Sequence, residues 1–168
     1  MAAVILTPAT HEDAAEIAAL RNAAADDLTA RFGNGHWTSN VSAKGVLGDL
    51  RRRMRVLVAR RQSRIAATLS MQTRKPWAID PKYFTPCARP IYLTNMAVLP
   101  AFQRLGIGRE SLAEAVTIAR AWPGDAIRLD AYDADAGAGD FYLRCGFREV
   151  GRVVYKRTPL RYFEWIIQ

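Results

Sequence analysis

The chain has 168 residues, half of them hydrophobic, which is the size of one ordinary domain spanning 1–168 and enough to bury about 70% of the unfolded surface in a core. Its net charge of +8 favours polyanionic partners as a class, whether nucleic acid, anionic lipid or a phosphorylated ligand, and does not choose among them. Two cysteines, Cys87 and Cys145, exclude a disulfide framework and lack metal-ligand spacing, and neither a secretion signal over Met1–Pro8 nor an apolar run of about 18 residues is present, so the expectation is a cytoplasmic protein with free thiols, no metal and no membrane span.

Val4 to Leu6 is a short apolar run before Pro8 and predicts a first strand. Thr10-His11-Glu12-Asp13 reads as a helix start, because a threonine hydroxyl can accept from a free backbone N–H and acidic residues suit the positive end of the helix dipole. Ile17, Leu20, Ala24 and Leu28 follow at helical spacing, and Gly33-Asn34-Gly35 stops the helix. A second helix is predicted over Ser42 to Arg53.

The period then changes to that of strands. Val56–Ala59 and Ile65–Met71 form a predicted hairpin joined by Arg60 to Arg64. Residues 73–90 hold four prolines and predict a long irregular loop. Ile91–Val98 is the clearest strand, ended by Pro100. Ile107 to Ala121 is a helix with Leu112, Ala115, Val116 and Ala119 inward, broken by Pro123-Gly124-Asp125. Ile127–Tyr132 is a strand, Gly139–Arg144 a short helix closed at Gly146, and two strands follow over Phe147–Lys156 and Arg161–Ile167. The order is βααβββαβαββ, an α/β chain with helices on both faces of a mixed sheet of about seven strands.

The junction after Val98 carries the most chemistry. The first turn of a helix has N–H groups without internal partners and a partial positive charge, so an anion docks there when no side chain intervenes. Glycines at 106 and 108 remove the Cβ atoms, and Gln103, Arg104 and Arg109 add donors at the rim. A nucleotide loop of the Gly-x-x-x-x-Gly-Lys-Ser/Thr type is absent. A dinucleotide fingerprint would need a third glycine where Ser111 stands and a shorter loop behind the strand, although Asp130 lies about 20 residues on. Gln103-Arg104-Leu105-Gly106-Ile107-Gly108 matches Gln/Arg-x-x-Gly-x-Gly/Ala, a loop for the pyrophosphate of coenzyme A, at every specified position. A glycine-bearing helix start without a ligand is the remaining alternative.

With Asn95-Met96-Ala97-Val98 before that loop, and Phe141-Tyr142-Leu143-Arg144-Cys145-Gly146-Phe147 after it, the chain resembles the GNAT superfamily of N-acetyltransferases over essentially its whole length. The resemblance implies the GNAT fold, a mostly antiparallel sheet flanked by four helices. It also implies acetyl-CoA as co-substrate. Met96, Ala97 and Val98 would lie along the pantetheine arm, with a backbone N–H near Val98 facing the acetyl oxygen. Gln103, Arg104, Leu105, Gly106, Ile107, Gly108 and Arg109 would hold the pyrophosphate, and Tyr142 would protonate the departing thiolate. Asp135 stands where the family often has an asparagine touching the coenzyme; it can accept a hydrogen bond but lacks the amide donor.

The implied reaction is acetyl transfer to a primary amine of a small molecule or peptide, by direct attack in a ternary complex. Such domains often pair through their late strands, so a homodimer is an accompanying expectation. A charged transfer RNA as acceptor is the alternative suggested by Arg51-Arg52-Arg53-Met54-Arg55 with Arg60, Arg61, Arg64, Arg74 and Lys75; the run lacks interleaved aromatics for base stacking. A coenzyme A-binding module without catalysis is a third reading. Candidate bases are Asp130, Asp133, Tyr132, Thr94 and Asn95, with none favoured by sequence. Trp37, Trp77, Tyr83 and Phe84 lie in loops expected to flank the acceptor, and His36 is placed either there or on the surface.

Overall fold

The computed structural model describes residues 2–168. Seven strands form one sheet in the order β1-β2-β3-β4-β5-β7-β6: β1 (Leu6–Pro8), β2 (Met54–Arg61), β3 (Arg64–Gln72), β4 (Pro90–Val98), β5 (Ala126–Tyr132), β6 (Arg148–Tyr155) and β7 (Thr158–Ile166). Four α-helices, α1 (Ala14–Phe32), α2 (Ala43–Arg51), α3 (Ile107–Ala121) and α4 (Gly139–Arg144), complete the expected order of elements. This is the GNAT fold that the motifs implied.

The sheet separates two cores. Ile17, Leu20 and Val46 of α1 and α2 pack with Val56, Val58 and Ile65 on one face. Leu112, Ala115 and Ala119 of α3 pack with Leu57, Ala59, Leu93 and Leu129 on the other, joined by Tyr142 of α4. Alternation along β2, with Val56 and Val58 on one side and Leu57 and Ala59 on the other, is what lets one strand serve both cores. Deleting a side chain such as Leu112, 2% exposed, would cost about 2–5 kcal/mol.

Several boundaries differ from expectation. The first strand runs over Leu6–Pro8, because these residues pair antiparallel with Leu57–Ala59 at the sheet edge, where a proline leaves no ladder bond unmade. Ahead of α1 the Asp13 carboxylate accepts from the Thr10 backbone N–H at 2.9 Å and from its hydroxyl at 3.3 Å, so Thr10 and Asp13 form a capping box at the helix start that the sequence pointed to. The second helix ends at Arg51, two residues early, and its Ser42 hydroxyl accepts from the Gly45 N–H. The hairpin between β2 and β3 turns on Gln62 and Ser63, both at positive φ, and that between β6 and β7 on Lys156 and Arg157 in the same way. The long loop 73–90 packs away from α1, with Ile79 and Phe84 against Tyr92, Leu160 and Tyr162.

One departure from a regular sheet positions everything that follows. β4 and β5 run parallel but pair only over Pro90–Tyr92 with Ala126–Arg128, while β5 pairs with β7 over its whole length. From Leu93 onward the two strands separate. Within the opening, β4 is bulged: Thr68 pairs with Ala97 and Ser70 with Thr94, and Asn95 at the bulge has φ +54, a conformation that asparagine tolerates better than most residues.

Candidate functional site

Two clefts flank the opening. The first, about 570 Å³, is lined by Met96, Ala97, Val98, Gln103, Arg104, Gly106, Gly108, Arg109, Asp135, Phe141, Tyr142 and Arg144, with Ala24, Leu28, Arg31 and Phe32 of α1 opposite. The second, about 600 Å³, is lined by Arg21, Trp37, Thr94, Asn95, Asp130, Tyr132 and, again, Met96, Ala97 and Tyr142. Met96, Ala97 and Tyr142, which with Ala24, Leu28, Ala136, Gly137 and Ala138 line both, mark where the two spaces meet.

The first cleft gathers most of the residues singled out from the sequence. Gly106 has φ +83 and supplies no side-chain cap to α3, so its left-handed turn leaves the first N–H groups of the helix uncovered. Space at Gly108 is tight: a Cβ there would stand 3.2 Å from the Phe141 ring and 3.4 Å from Val98. Arg104 also has positive φ, +61, and its side chain lines the cleft with those of Arg109 and Arg144. Asp135 faces the same space, so its carboxylate sits in a cleft of predominantly positive side chains.

Three expected contributors act differently from expectation. Gln103 donates from Nε2 to the Val98 carbonyl at 3.1 Å, bracing the strand end to the turn. The Leu105 side chain is largely exposed and that of Ile107 is in the core; neither lines the cleft, so only their backbone groups remain for a ligand. The Leu99 N–H bonds the Ala66 carbonyl on β3, and alternation along the chain then turns the backbone groups of Val98 and Met96 toward the opening.

Tyr142 is 6% exposed and ringed by Phe141, Phe147 and Phe163 at centroid distances of 5.4, 5.7 and 5.7 Å. Its hydroxyl lies 3.9 Å from the Met96 sulfur. Burial raises its pKa far above the usual tyrosine value, with the charges of Asp130 and Cys145 adding in the same sense. The phenol therefore keeps its proton throughout the physiological range.

Of the base candidates, Asp130 and Asp133 part company. Asp133 pairs with Arg152 at 3.3 Å and is absent from both linings. Asp130 faces the second cleft, burial pushes its pKa up, and among the described residues no side chain donates to its carboxylate. Tyr132 lines the same cleft but donates its hydroxyl to the His36 carbonyl at 3.1 Å, which ties down the loop after α1. Trp37 of that loop lines the cleft, whereas the His36 ring faces Thr158, with Nδ1 3.2 Å from its hydroxyl. Trp77, Tyr83 and Phe84 do not flank the acceptor side: Tyr83 and Phe84 pack on Tyr162 and Trp77 is 82% exposed beside that loop. Thr94 and Asn95 also line the second cleft, and the Thr94 hydroxyl is buried without a partner.

The basic run contributes to neither lining. Arg60 bonds Asp13 at 2.6 Å, the Arg55 guanidinium lies over the Trp122 ring at 3.6 Å, Arg61 bonds the Ala2 carbonyl, and Arg52 stands 3.7 Å from Asp49. Among the described residues no group of three or more His, Cys, Asp or Glu is arranged to hold a metal ion, and no helix is long and apolar enough to cross a membrane.

Parallel strands that part after three residue pairs, with a glycine-opened helix on one side and a buried tyrosine between two clefts, define an N-acyltransferase fold. The description of the acetyltransferase (GNAT) family matches residues 17–147, and the chain belongs to that family. No curated protein matches it in sequence. Among solved structures it is similar to the PaiA N-acetyltransferase of Thermoplasma acidophilum in complex with coenzyme A, at TM-score 0.73 and 14% identity over 98% of this chain and 100% of that one. It is also similar to the ribosomal-protein-S18-alanine N-acetyltransferase of Escherichia coli, at TM-score 0.72 and 17% identity over 98% and 94%. A third is YncA of Salmonella typhimurium with its cofactor acetyl-CoA, at 0.70 and 18% over 99% and 95%.

Proposed function

We propose that this acetyltransferase moves the acetyl group of acetyl-CoA to the primary amine of a small molecule or peptide by direct attack, both substrates being bound at once. The observation that carries the reading is the meeting of two clefts at Met96, Ala97 and Tyr142, one rich in arginine and the other holding Asp130.

The first cleft fits the coenzyme. Uncapped amides at Ile107, Gly108 and Arg109 suit a pyrophosphate, with Arg104, Arg109 and Arg144 neutralising it. The backbone groups of Met96 and the Val98 N–H suit an extended polar arm, since such a row accepts a ligand as it would another strand; the Val98 carbonyl is taken by Gln103. Acetyl-CoA supplies the activated acetyl group; the remaining work falls to side chains and amides of the chain.

An alkylammonium cannot attack until it loses a proton. Asp130 suits that role, because its carboxylate is half-buried beside the second cleft and free of cationic partners. The Val98 N–H is suited to the negative charge that develops on the acetyl oxygen as the amine nitrogen bonds the carbonyl carbon; a single such donor is worth about 3 kcal/mol. As the C–S bond breaks, Tyr142 gives its phenolic proton to the sulfur and recovers one from the new amide nitrogen. The balance is one ammonium and one thioester giving one amide, one thiol and one proton, the last released through Asp130. Holding the reactants together supplies several further kcal/mol.

The test is a panel of amines and peptides incubated with acetyl-CoA, read by free thiol release and by mass of the product. Amine-dependent thiol release supports the reading. Tight coenzyme A binding without release for any amine would leave a coenzyme-binding module instead.

A further inference from the structure

The second cleft has an uncommon charge pattern for so basic a chain. Its lining side chains include one cation, Arg21 on α1, and one anion, Asp130 on β5; the others are neutral. The two charges stand on different elements and are not paired with each other: the ion-pair partner of Arg21 is Asp49, at 3.9 Å. Arg21 is poorly satisfied. One of its N–H groups donates to the Asn95 side chain at 3.1 Å, and Asp49 is shared with Arg52. At 3.9 Å the Asp49 carboxylate is a distant partner for the guanidinium, and burial lowers the Arg21 pKa against the pull of that charge. Asp130 is short of positive charge in the same cleft. A guanidinium presents five donors in a planar fork that matches the two oxygens of a carboxylate. Trp37, Tyr132 and Thr94 line the same cleft, the last with a buried hydroxyl that has no partner.

We infer that the acceptor is a zwitterion, an amino acid in free form, whose ammonium sits on Asp130 and whose carboxylate sits on Arg21. The inference rests on the proposed acetyl transfer for the fate of the amine, but the recognition itself does not. Asp130 then gains the partner it lacks and Arg21 a closer one than Asp49, and the cleft disfavours amines without an acidic group because they leave Arg21 with Asp49 alone. Acetylation removes the positive charge of the amine and with it the attraction of Asp130, which favours release of the N-acetyl product. A peptide amino terminus offers a neutral amide where the free amino acid offers a carboxylate, so peptides are poor acceptors on this reading.

The experiment is calorimetric titration of L-α-amino acids, short ω-amino acids, their carboxamides and the matching decarboxylated amines into the full chain, alone and with coenzyme A present. At least one amino acid should bind at least about tenfold more tightly than its carboxamide, the scale of a desolvated charge pair. Arg21→Gln should erase that preference while leaving the carboxamide's affinity in place. Asp130→Asn should weaken amino acids and plain amines alike. Asn95→Gly, which removes the Asn95 contact to Arg21 and tolerates the bulge's φ, should retain the preference for the carboxylate; loss of the preference there would assign Arg21 to holding the bulge and overturn the inference. Equal affinity for acids and carboxamides would overturn it too, even if thiol release shows that amines are acetylated. Arg21-dependent amino acid binding without thiol release would uphold the zwitterion site and remove the transferase reading.

Discussion

The Tyr142 hydroxyl stands 3.9 Å from the Met96 sulfur, bringing α4 against β4 at the place where β4 has already left β5. Because both residues line both clefts, a group entering from either side meets the same phenol. Burial and the nearby Asp130 charge keep that phenol protonated, which fits a proton donor and rules out a base at ordinary pH.

Tyr142→Phe removes the proton and keeps the ring. Turnover is expected to fall about 100-fold, the usual scale of a lost general acid, with coenzyme A affinity within about twofold of the parent by the scale of neutral surface changes. Steady-state kinetics beside calorimetry checks this; undiminished turnover would take Tyr142 out of the chemistry.

The two glycines of the loop should fail for different reasons. At Gly106 a side chain has room, its nearest neighbour being Glu110 at 3.8 Å, but φ is +83; Gly106→Val therefore strains the backbone by about 1–2 kcal/mol and weakens coenzyme A binding at least about tenfold. Gly108→Val meets Phe141 and Val98 and should lower Tm as well as affinity, because the helix must move off α4. Thermal unfolding of both variants separates the two mechanisms.

Asp130 gives a pH prediction with opposite signs for activity and stability. Its folded pKa lies above the usual carboxylate value because of burial. The acid limb of kcat/KM should follow that raised value, and Asp130→Asn should abolish the limb and lower the plateau. For stability, the folded state binds the proton more tightly than the unfolded one. Stability from this group is thus complete below about pH 3.9 and is lost as pH rises through the folded value. Asp130→Asn should raise Tm at pH 7, by about 2–4 °C per kcal/mol relieved, and leave it unchanged near pH 3.

Glu164 titrates in the other direction. It is 1% exposed; burial pushes its pKa up, but donors from Thr85 at 2.7 and 3.0 Å and from the Arg148 guanidinium outweigh that and leave it lowered. Its contribution is present above about pH 4.3 and lost as pH falls through the folded value. Glu164→Gln is expected to destabilise the chain by about 2 kcal/mol at pH 7, with the difference closing in acid, as denaturant midpoints across pH will show.

Neutralising Arg51, Arg52 and Arg53 together to glutamine should leave kcat/KM for a small amine within about twofold, the range of surface changes away from special features. A large loss confined to an RNA-linked acceptor, steep in salt, would instead restore a polyanionic acceptor.

Helix ends, strand periods and the phosphate loop were legible because they are local. Gly146 takes the positive φ expected of a left-handed helix end, Gly33 and Gly106 also have positive φ, and α3 and α4 begin and end where periodicity put them. The hairpin turns were less legible: Gln62-Ser63 and Lys156-Arg157 adopt positive φ without the Asn-Gly or Asp-Gly signature of such turns, so β2, β3 and β7 were drawn short and β6 one residue long at each end. The loop 73–90 was assigned to the wrong side, since its aromatics alone could not reveal that Tyr162 would receive them.

By itself the sequence determined the family, the order of its elements and the glycine-opened start of α3, all of which follow from neighbouring residues along the chain. The tertiary structure alone decided which carboxylate enters the cleft and which pairs with Arg152, and that Arg21, 109 residues from Asp130 by their numbers, faces the same space. Those are contacts across a sheet that splits after three residue pairs, and no period or local propensity in a chain records where two distant strands part.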